Sequence, residues 1–197
     1  MAGGIVKELL DYAKSQEDTS EMVTESIDMG PFVQSTVDSH LPGALNKNIE
    51  LRTGTISEYA FCSINRVSLS RVIDNLVTNA IKFTPDGGSI TVDIEKQDKG
   101  IIMKFSDSGI GIPDDLKPNI FRPFSSSGRT GTADEKSTGL GLSISYNIVR
   151  VHRGRFEMET EVGKGTAMTV ILPTDLEEPE SAPPDPQGSN PLPFTDS

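Results

Sequence analysis

Two asparagines and a lysine, Asn75, Asn79 and Lys82, recur at spacings of four and three residues in the segment 75–82, Asn-Leu-Val-Thr-Asn-Ala-Ile-Lys. On an α-helix that spacing sets them along one stripe. Mg2+ prefers hard oxygen ligands, keeps several waters, and takes one or two protein groups beside phosphate oxygens. A neutral amide oxygen suits that role because the phosphates already carry the charge. An ammonium one turn on can pair with a phosphate as a point charge. Asp107 opens a second segment, 107–113, Asp-Ser-Gly-Ile-Gly-Ile-Pro, which follows the strand-like stretch 101–105. A carboxylate at a strand end can accept a hydrogen bond from the exocyclic amine of adenine, and Gly109 and Gly111 let a base approach the backbone closely. A third segment, 139–142, Gly-Leu-Gly-Leu, opens an amphipathic stretch. The free N–H groups of a helix N-terminus bind phosphate well. Between the second and third segments stand Phe121 and Phe124, at the base of a Ser-, Gly- and Thr-rich loop that could swing as a lid.

Each segment alone has a plainer reading: a solvated helix face, an Asp/Gly turn, a glycine-containing helix start, a pair of packing rings. Two apparent matches to other motifs fail. A dinucleotide fingerprint starting at Gly109 would need Gly or Ala where Asp114 stands, and Lys136-Ser137 follows Glu135 where a P-loop requires Gly. Arg122, Arg129 and Lys136 are further candidate phosphate contacts that read equally as surface charges.

These groups need a scaffold, and the apolar pattern supplies one. A helix is expected over 69–83 with Ser68 as N-cap. Leu69, Val72, Ile73, Leu76, Val77, Ala80 and Phe83 share its broad face, with the Asn75–Asn79–Lys82 stripe beside it. A turn at 84–88 leads to a strand in which Ile90, Val92 and Ile94 alternate with polar residues, and 101–105 completes a hairpin. A short helix over 113–120, a helix over 140–152 and strands over 155–160 and 166–172 follow. Upstream, 5–14 reads as a helix and 15–30 as a connector. Pro31 can open a helix with the stripe Val33, Val37, Leu41, which Pro42-Gly43 should end, and 49–52 and 60–64 read as short strands. Helices first, then strands mixed with helices, imply an α/β chain folded as a two-layer sandwich rather than regular βαβ alternation.

At 197 residues the chain fits one ordinary domain with extra segments, and no apolar run approaches a membrane span. The single cysteine, Cys62, reads as a small buried hydrophobe in a strand. Six carboxylates and no Lys or Arg lie in 174–197, so the rest of the chain carries only −5 of the formal charge of −11. That acidic, Pro-rich tail cannot bury enough apolar surface to order itself, and an acidic body argues against non-specific nucleic-acid binding.

In order and spacing, these segments resemble the N, G1, F and G2 boxes of the catalytic, ATP-binding domain of sensor histidine kinases. That family shares its superfamily with gyrase, Hsp90 and MutL. Residues 75–82 match the N box, 107–111 the G1 box, 121–124 the F box and 139–142 the G2 box. The resemblance implies a Bergerat-type fold over 31–173, a mixed sheet under about three helices with a mobile ATP lid. It implies a nucleotide site drawn from Asn75, Asn79, Lys82, Phe83, Asp107, Gly109, Ile110, Gly111, Ile112, Phe121, Phe124, Thr138, Gly139, Leu140, Gly141, Leu142 and Thr166. Within it Asn79 is the Mg2+ ligand, Asp107 the adenine reader and the 139–141 backbone the phosphate cradle, with Asn75 and Lys82 as catalytic residues. In the hydrolases of the superfamily a Glu one turn before the metal-binding Asn acts as base. Here that position is Asn75, which cannot take a proton, and this favours a kinase over a gyrase- or Hsp90-like ATPase. A nucleotide-sensing module without catalysis is the remaining alternative.

A complete kinase of this kind also carries a phosphoacceptor His near the start of a helical hairpin. Neither His40 nor His152 has that context; His152-Arg153-Gly154 matches a turn of the family and reads as a structural histidine. The chain is therefore expected to hold the catalytic half, with 1–14 as the end of a dimerisation-hairpin helix. Its expected partners are the phosphoacceptor domain of the parent kinase and a response-regulator receiver domain, without nucleic acid or direct membrane contact. The expected state is a cytoplasmic monomer binding ATP and Mg2+.

Overall fold

The computed structural model describes residues 23–125, 130–133, 135 and 138–174. The helix expected at 5–14, most of the acidic tail, and Arg129, Lys136 and Ser137 lie outside them. Strand β1 (Glu25–Asp28) runs into helix α1 (Met29–Asp38), followed by the short α2 (Leu41–Leu45), β2 (Glu50–Ile56), β3 (Phe61–Ile64) and the long α3 (Arg66–Phe83). Then come β4 (Ser89–Gln97), β5 (Gly100–Asp107), a 3-10 turn (Lys117–Asn119), α4 (Gly141–Val151), β6 (Arg155–Glu161) and β7 (Gly165–Pro173).

Five strands form one sheet in the order β2-β4-β5-β7-β6, and β1 pairs with β3 in a separate two-stranded piece. The β2–β4 pair is parallel and the other pairs of the large sheet are antiparallel, so the sheet is mixed. Period-two alternation turns Ile90, Val92 and Ile94 inward on β4, and Ile101, Met103 and Phe105 inward on β5. Cross-strand partners extend this into layers such as Ile94–Met103–Val170–Phe156. The helices cover that face, α1 touching β2, α3 touching β5 and α4 touching β6. The result is the expected two-layer α/β sandwich. On α3 the residues Leu69, Val72, Ile73 and Val77 are fully buried. Burial of each such side chain contributes about 1.5–3 kcal/mol relative to exposure.

Several boundaries differ from the sequence expectation. Helix α3 begins three residues before Leu69, because Asn65 caps it: its backbone is extended and its side-chain oxygen accepts from the Ser68 N–H at 2.9 Å. Ser68 is thus the donor rather than the cap. Helix α1 is capped by Asp28, whose carboxylate accepts from the Gly30 N–H at 3.3 Å, and Pro31 sits in the first turn, where its missing N–H costs nothing. Strand β1 falls in the stretch expected to be connector. Four residues without lengthy alternation carry little strand signal, and β1 exists through its non-local pairing with β3. Leu41 does not continue the α1 stripe; it starts α2, with Pro42 in the first turn. The expected helix at 113–120 contracts to a single 3-10 turn. Cys62 is buried in β3 as expected, and burial pushes its thiol up to about 11. Among the described residues no helix is long and apolar enough to cross a membrane.

His152 ties the ends of the two main helices together. Its Nε2 accepts from the Asn65 N–H at 3.0 Å, which leaves Nδ1 to donate to the Ile148 carbonyl at 2.8 Å. Burial holds its pKa below the ordinary histidine value, the bond to Ile148 opposing in part. A group with a depressed folded pKa that is neutral when folded contributes stability above its unfolded pKa. That stability is lost as pH falls through the folded value, because protonation removes the acceptor for Asn65. Denaturant unfolding between about pH 7.5 and about pH 5 is expected to show acid destabilisation that is smaller in His152→Gln, whose amide does not titrate. Equal slopes in the two proteins would overturn the assignment.

Candidate nucleotide site

The alternation of β5 carries its inner face from Ile101, Met103 and Phe105 to Asp107, so the carboxylate ends an apolar row at the mouth of a cleft. Its Oδ1 accepts from the Gly109 N–H at 2.9 Å and from the Thr166 N–H at 3.2 Å. The first bond is a local turn. The second crosses to β7, where Thr166 is the register partner of Asp107. Thr160 joins this corner from β6. Its hydroxyl donates to the Gly165 carbonyl at 3.0 Å and accepts from the Ile112 N–H at 3.0 Å. Its single proton being spent, the 2.9 Å contact with Thr166 Oγ1 has Thr166 as donor. Gly109 packs against the Phe83 carbonyl and Gly111 against the Glu161 carbonyl, so the 107–113 loop lies tightly between α3 and the β6–β7 turn. Ile110 is held there by its N–H to Phe83 O and by its carbonyl, which accepts from Gly163, both at 3.0 Å.

The cleft walls are mainly apolar. Leu76 and Ala80 come from α3, Phe105 and Met168 form a cross-strand pair beneath, and Ile112, Leu116 and Ile120 close the far side. Asp107, Thr166, Asn79 and Ser125 supply its polar side chains. An apolar slot with a few placed polar groups is the usual form of a small-molecule site.

The structure brings Asn79, Phe83, Asp107, Gly111, Ile112, Gly139, Gly141, Leu142 and Thr166 to one cleft. Other expected residues stand around it. Asn75 is half-buried between helices, its amide donating to Gly141 O and to Ser145 Oγ, both at 3.1 Å. Lys82 is 9% exposed, with its ammonium 5.4 Å from the Phe83 ring centroid. Its carbonyl accepts from the N–H and the hydroxyl of Thr132 at 3.0 and 3.1 Å. Lys47 reinforces that junction, donating to the carbonyls of Ile81 and Lys82, to Thr132 Oγ1 at 2.7 Å and to Glu135 at 3.0 Å. Leu140 is fully buried, and its N–H lies 3.4 Å from the Thr138 hydroxyl.

The two phenylalanines of 121–124 have different roles. Phe121 packs in an aromatic cluster with Tyr146 and Phe156, at centroid distances of 5.1 and 5.2 Å. The Phe124 ring is half exposed, and its anchor is the backbone: at φ 61°, its N–H donates to Gly139 O at 3.0 Å. That bond joins the two ends of the expected lid. A non-glycine residue in this conformation costs about 1–3 kcal/mol, which the surrounding contacts must offset.

Sequence reasoning did not assign Leu76, Ala80, Phe105, Leu116, Ile120, Ser125, Met168 or Thr160 to the site. Phe105 and Met168 were recoverable in principle, since each lies two residues from a polar site residue on the same strand face. Thr160 carried no signal, because only the β6–β7 register brings it to Thr166.

The donor chemistry bears on Mg2+. Among the described residues no group of three or more His, Cys, Asp or Glu side chains could hold a metal. The cleft offers instead one hard amide oxygen, at Asn79, near the start of α4. This set fits an ion completed by phosphate oxygens and water, and does not fit a free-standing metal centre.

A family profile described as histidine kinase-, DNA gyrase B-, and HSP90-like ATPase matches residues 64–176. Sporulation kinase E of Bacillus subtilis is 32% identical over 172 residues, covering 86% of this chain and 22% of that protein. The alginate biosynthesis sensor protein KinB of Pseudomonas aeruginosa is 26% identical over 169 residues, covering 86% of this chain and 28% of its own length. The chain thus spans about a quarter of these relatives. Among solved structures, the catalytic domain of histidine kinase ThkA superposes with a TM-score of 0.67 at 27% identity, over 77% of this chain and 97% of that one. Full-length ShkA, solved in complex with AMPPNP, superposes with a TM-score of 0.76 at 21% identity over 86% of this chain and 35% of its own; this likeness concerns the fold.

Proposed function

We propose, for a chain that belongs to the histidine kinase-, DNA gyrase B- and HSP90-like ATPase family, that it binds Mg2+-ATP and presents the γ-phosphate to a histidine supplied by another domain. The observation that carries this reading is the seat of Asp107, a carboxylate ending an apolar slot, with Asn79 and the start of α4 on the opposing wall.

Asp107 accepts from the adenine amine while Phe105, Met168, Leu76 and Ala80 enclose the ring. The N-terminus of α4, entered through Gly139 and Gly141, offers backbone N–H groups to the phosphates. Asn79 holds Mg2+ together with phosphate oxygens. When bound, the ion neutralises charge on the transferring phosphoryl group. Lys82, one turn after Asn79 on α3, pairs with a phosphate as a point charge. Asn75 gives its amide protons to α4, and an amide is no base for water. The chain's part in catalysis is positioning and charge neutralisation.

On this reading the catalytic domain takes in β1 and α1 and runs from Glu25 to Pro173, a connector precedes it, 1–14 is the end of a dimerisation-hairpin helix and 174–197 an acidic tail. The partners are a phosphoacceptor hairpin and, downstream, a response-regulator receiver domain. Calorimetry should show ATP binding that weakens on removal of Mg2+ and in Asn79→Ala. Phosphate should appear on a separately supplied hairpin histidine, with no sustained ATP turnover by the chain alone. Absence of nucleotide binding, or multiple-turnover hydrolysis abolished by Asn79→Ala, would overturn it.

A further inference from the structure

We propose that Asn75 and Ser145 act together as positioning residues, setting the gap between the Asn79 stripe of α3 and the N-terminus of α4. The inference rests on the nucleotide reading above and gives it a device that the motifs do not contain.

Ser145 is a fully buried hydroxyl on α4, four residues after Gly141 and so directly above it on the same helix face. Asn75 reaches across from α3 and spends both amide protons there, one on the Gly141 carbonyl and one on the Ser145 hydroxyl. Gly141 opens the helix, so the clamp grips the turn whose free N–H groups face the phosphate region. The two helices touch at this point: a Cβ on Gly141 would lie 3.5 Å from the Asn75 side chain. A sideways shift of the helix start must therefore break amide bonds in a half-buried setting, where an orphaned donor is costly. Asn79 follows Asn75 by one turn on α3 and lines the cleft. The two amides of one stripe thus divide the work. Asn75 holds the phosphate-binding helix at a fixed offset from Asn79, and Asn79 faces the ligand. A carboxylate at position 75 could not do this, since it would meet the Gly141 carbonyl without a proton to donate.

The test compares Mg2+-ATP with adenosine, which lacks the groups that reach α4. Ser145→Ala removes one oxygen and adds nothing. It is expected to weaken Mg2+-ATP binding about three- to tenfold, and Asn75→Ala about tenfold or more. Adenosine binding should stay within about twofold, and the double variant should lose less than the product of the single losses. If Asn75→Ala does not fold, Ser145→Ala decides alone. Unchanged Mg2+-ATP affinity in Ser145→Ala, or parallel loss of ATP and adenosine, would overturn the clamp. Failure of the wild-type chain to bind Mg2+-ATP would instead overturn the nucleotide reading beneath it.

Discussion

Asp107→Asn is expected to lower ATP affinity by about 10- to 100-fold while leaving the fold standing. The asparagine oxygen can keep the place of Oδ1, where the Gly109 and Thr166 N–H groups hold it. The new NH2 must then take the other oxygen's place and meet the adenine amine donor to donor. Hydrogen bonds to charged groups contribute about 1.5–3 kcal/mol, which sets the fold-change. The loss should be selective, because a base with a carbonyl at the same edge gains the donor that adenine cannot use. Titration with ATP and GTP should show their affinity ratio moving toward GTP, and a thermal melt should show little change. Wild-type ATP affinity in this variant would remove Asp107 from base recognition. Asp107→Ala is a harsher substitution, since it also orphans two backbone donors at the sheet end.

Gly165→Ala is the second large effect, and it acts on the fold. Gly165 has φ +107°, and a Cβ there would overlap the Asp107 carbonyl oxygen of the adjacent strand. Backbone strain costs about 1–3 kcal/mol, and forcing two strands apart adds about 1–3 kcal/mol. A total of about 2–6 kcal/mol is a large fraction of the stability of an ordinary domain, about 5–15 kcal/mol. Gly163→Ala is the control. Its φ is +80° but its Cβ would meet nothing within 4 Å, so it carries the strain without the collision. Chemical denaturation should therefore place Gly165→Ala well below Gly163→Ala. Equal costs would mean that the β5–β7 contact yields freely. Because the collision falls on Asp107, surviving folded Gly165→Ala should also bind ATP more weakly.

The ease with which the site could be read differed between residues for physical reasons. The α3 stripe was legible because a helix is periodic, and 3.6 residues per turn place Asn75, Asn79 and Lys82 from the chain alone. The inner face of β5 was equally legible, and Asp107 follows from counting by two. The start of α3 was not, since Asn65 and Ser68 are both good capping residues and only the extended backbone of Asn65 chooses between them. Strand β1 was hidden for the same kind of reason, because its hydrogen-bond partner lies more than thirty residues away.

Local pattern thus determined which residues share a face, the α/β class, and the supply of amide, carboxylate and glycine chemistry. Such properties depend on spacing within one element, which the chain carries at every position. Tertiary structure decided what those residues touch. It gave the Asn75 amide to Gly141 and Ser145 of α4, and gave Phe121 to an aromatic cluster while leaving the Phe124 ring half exposed. It also made Thr160 and Gly165 part of the corner around Asp107 through the β6–β7 register. These outcomes depend on distances between elements far apart in the chain, set by how helices and sheet pack together, and no local spacing encodes them.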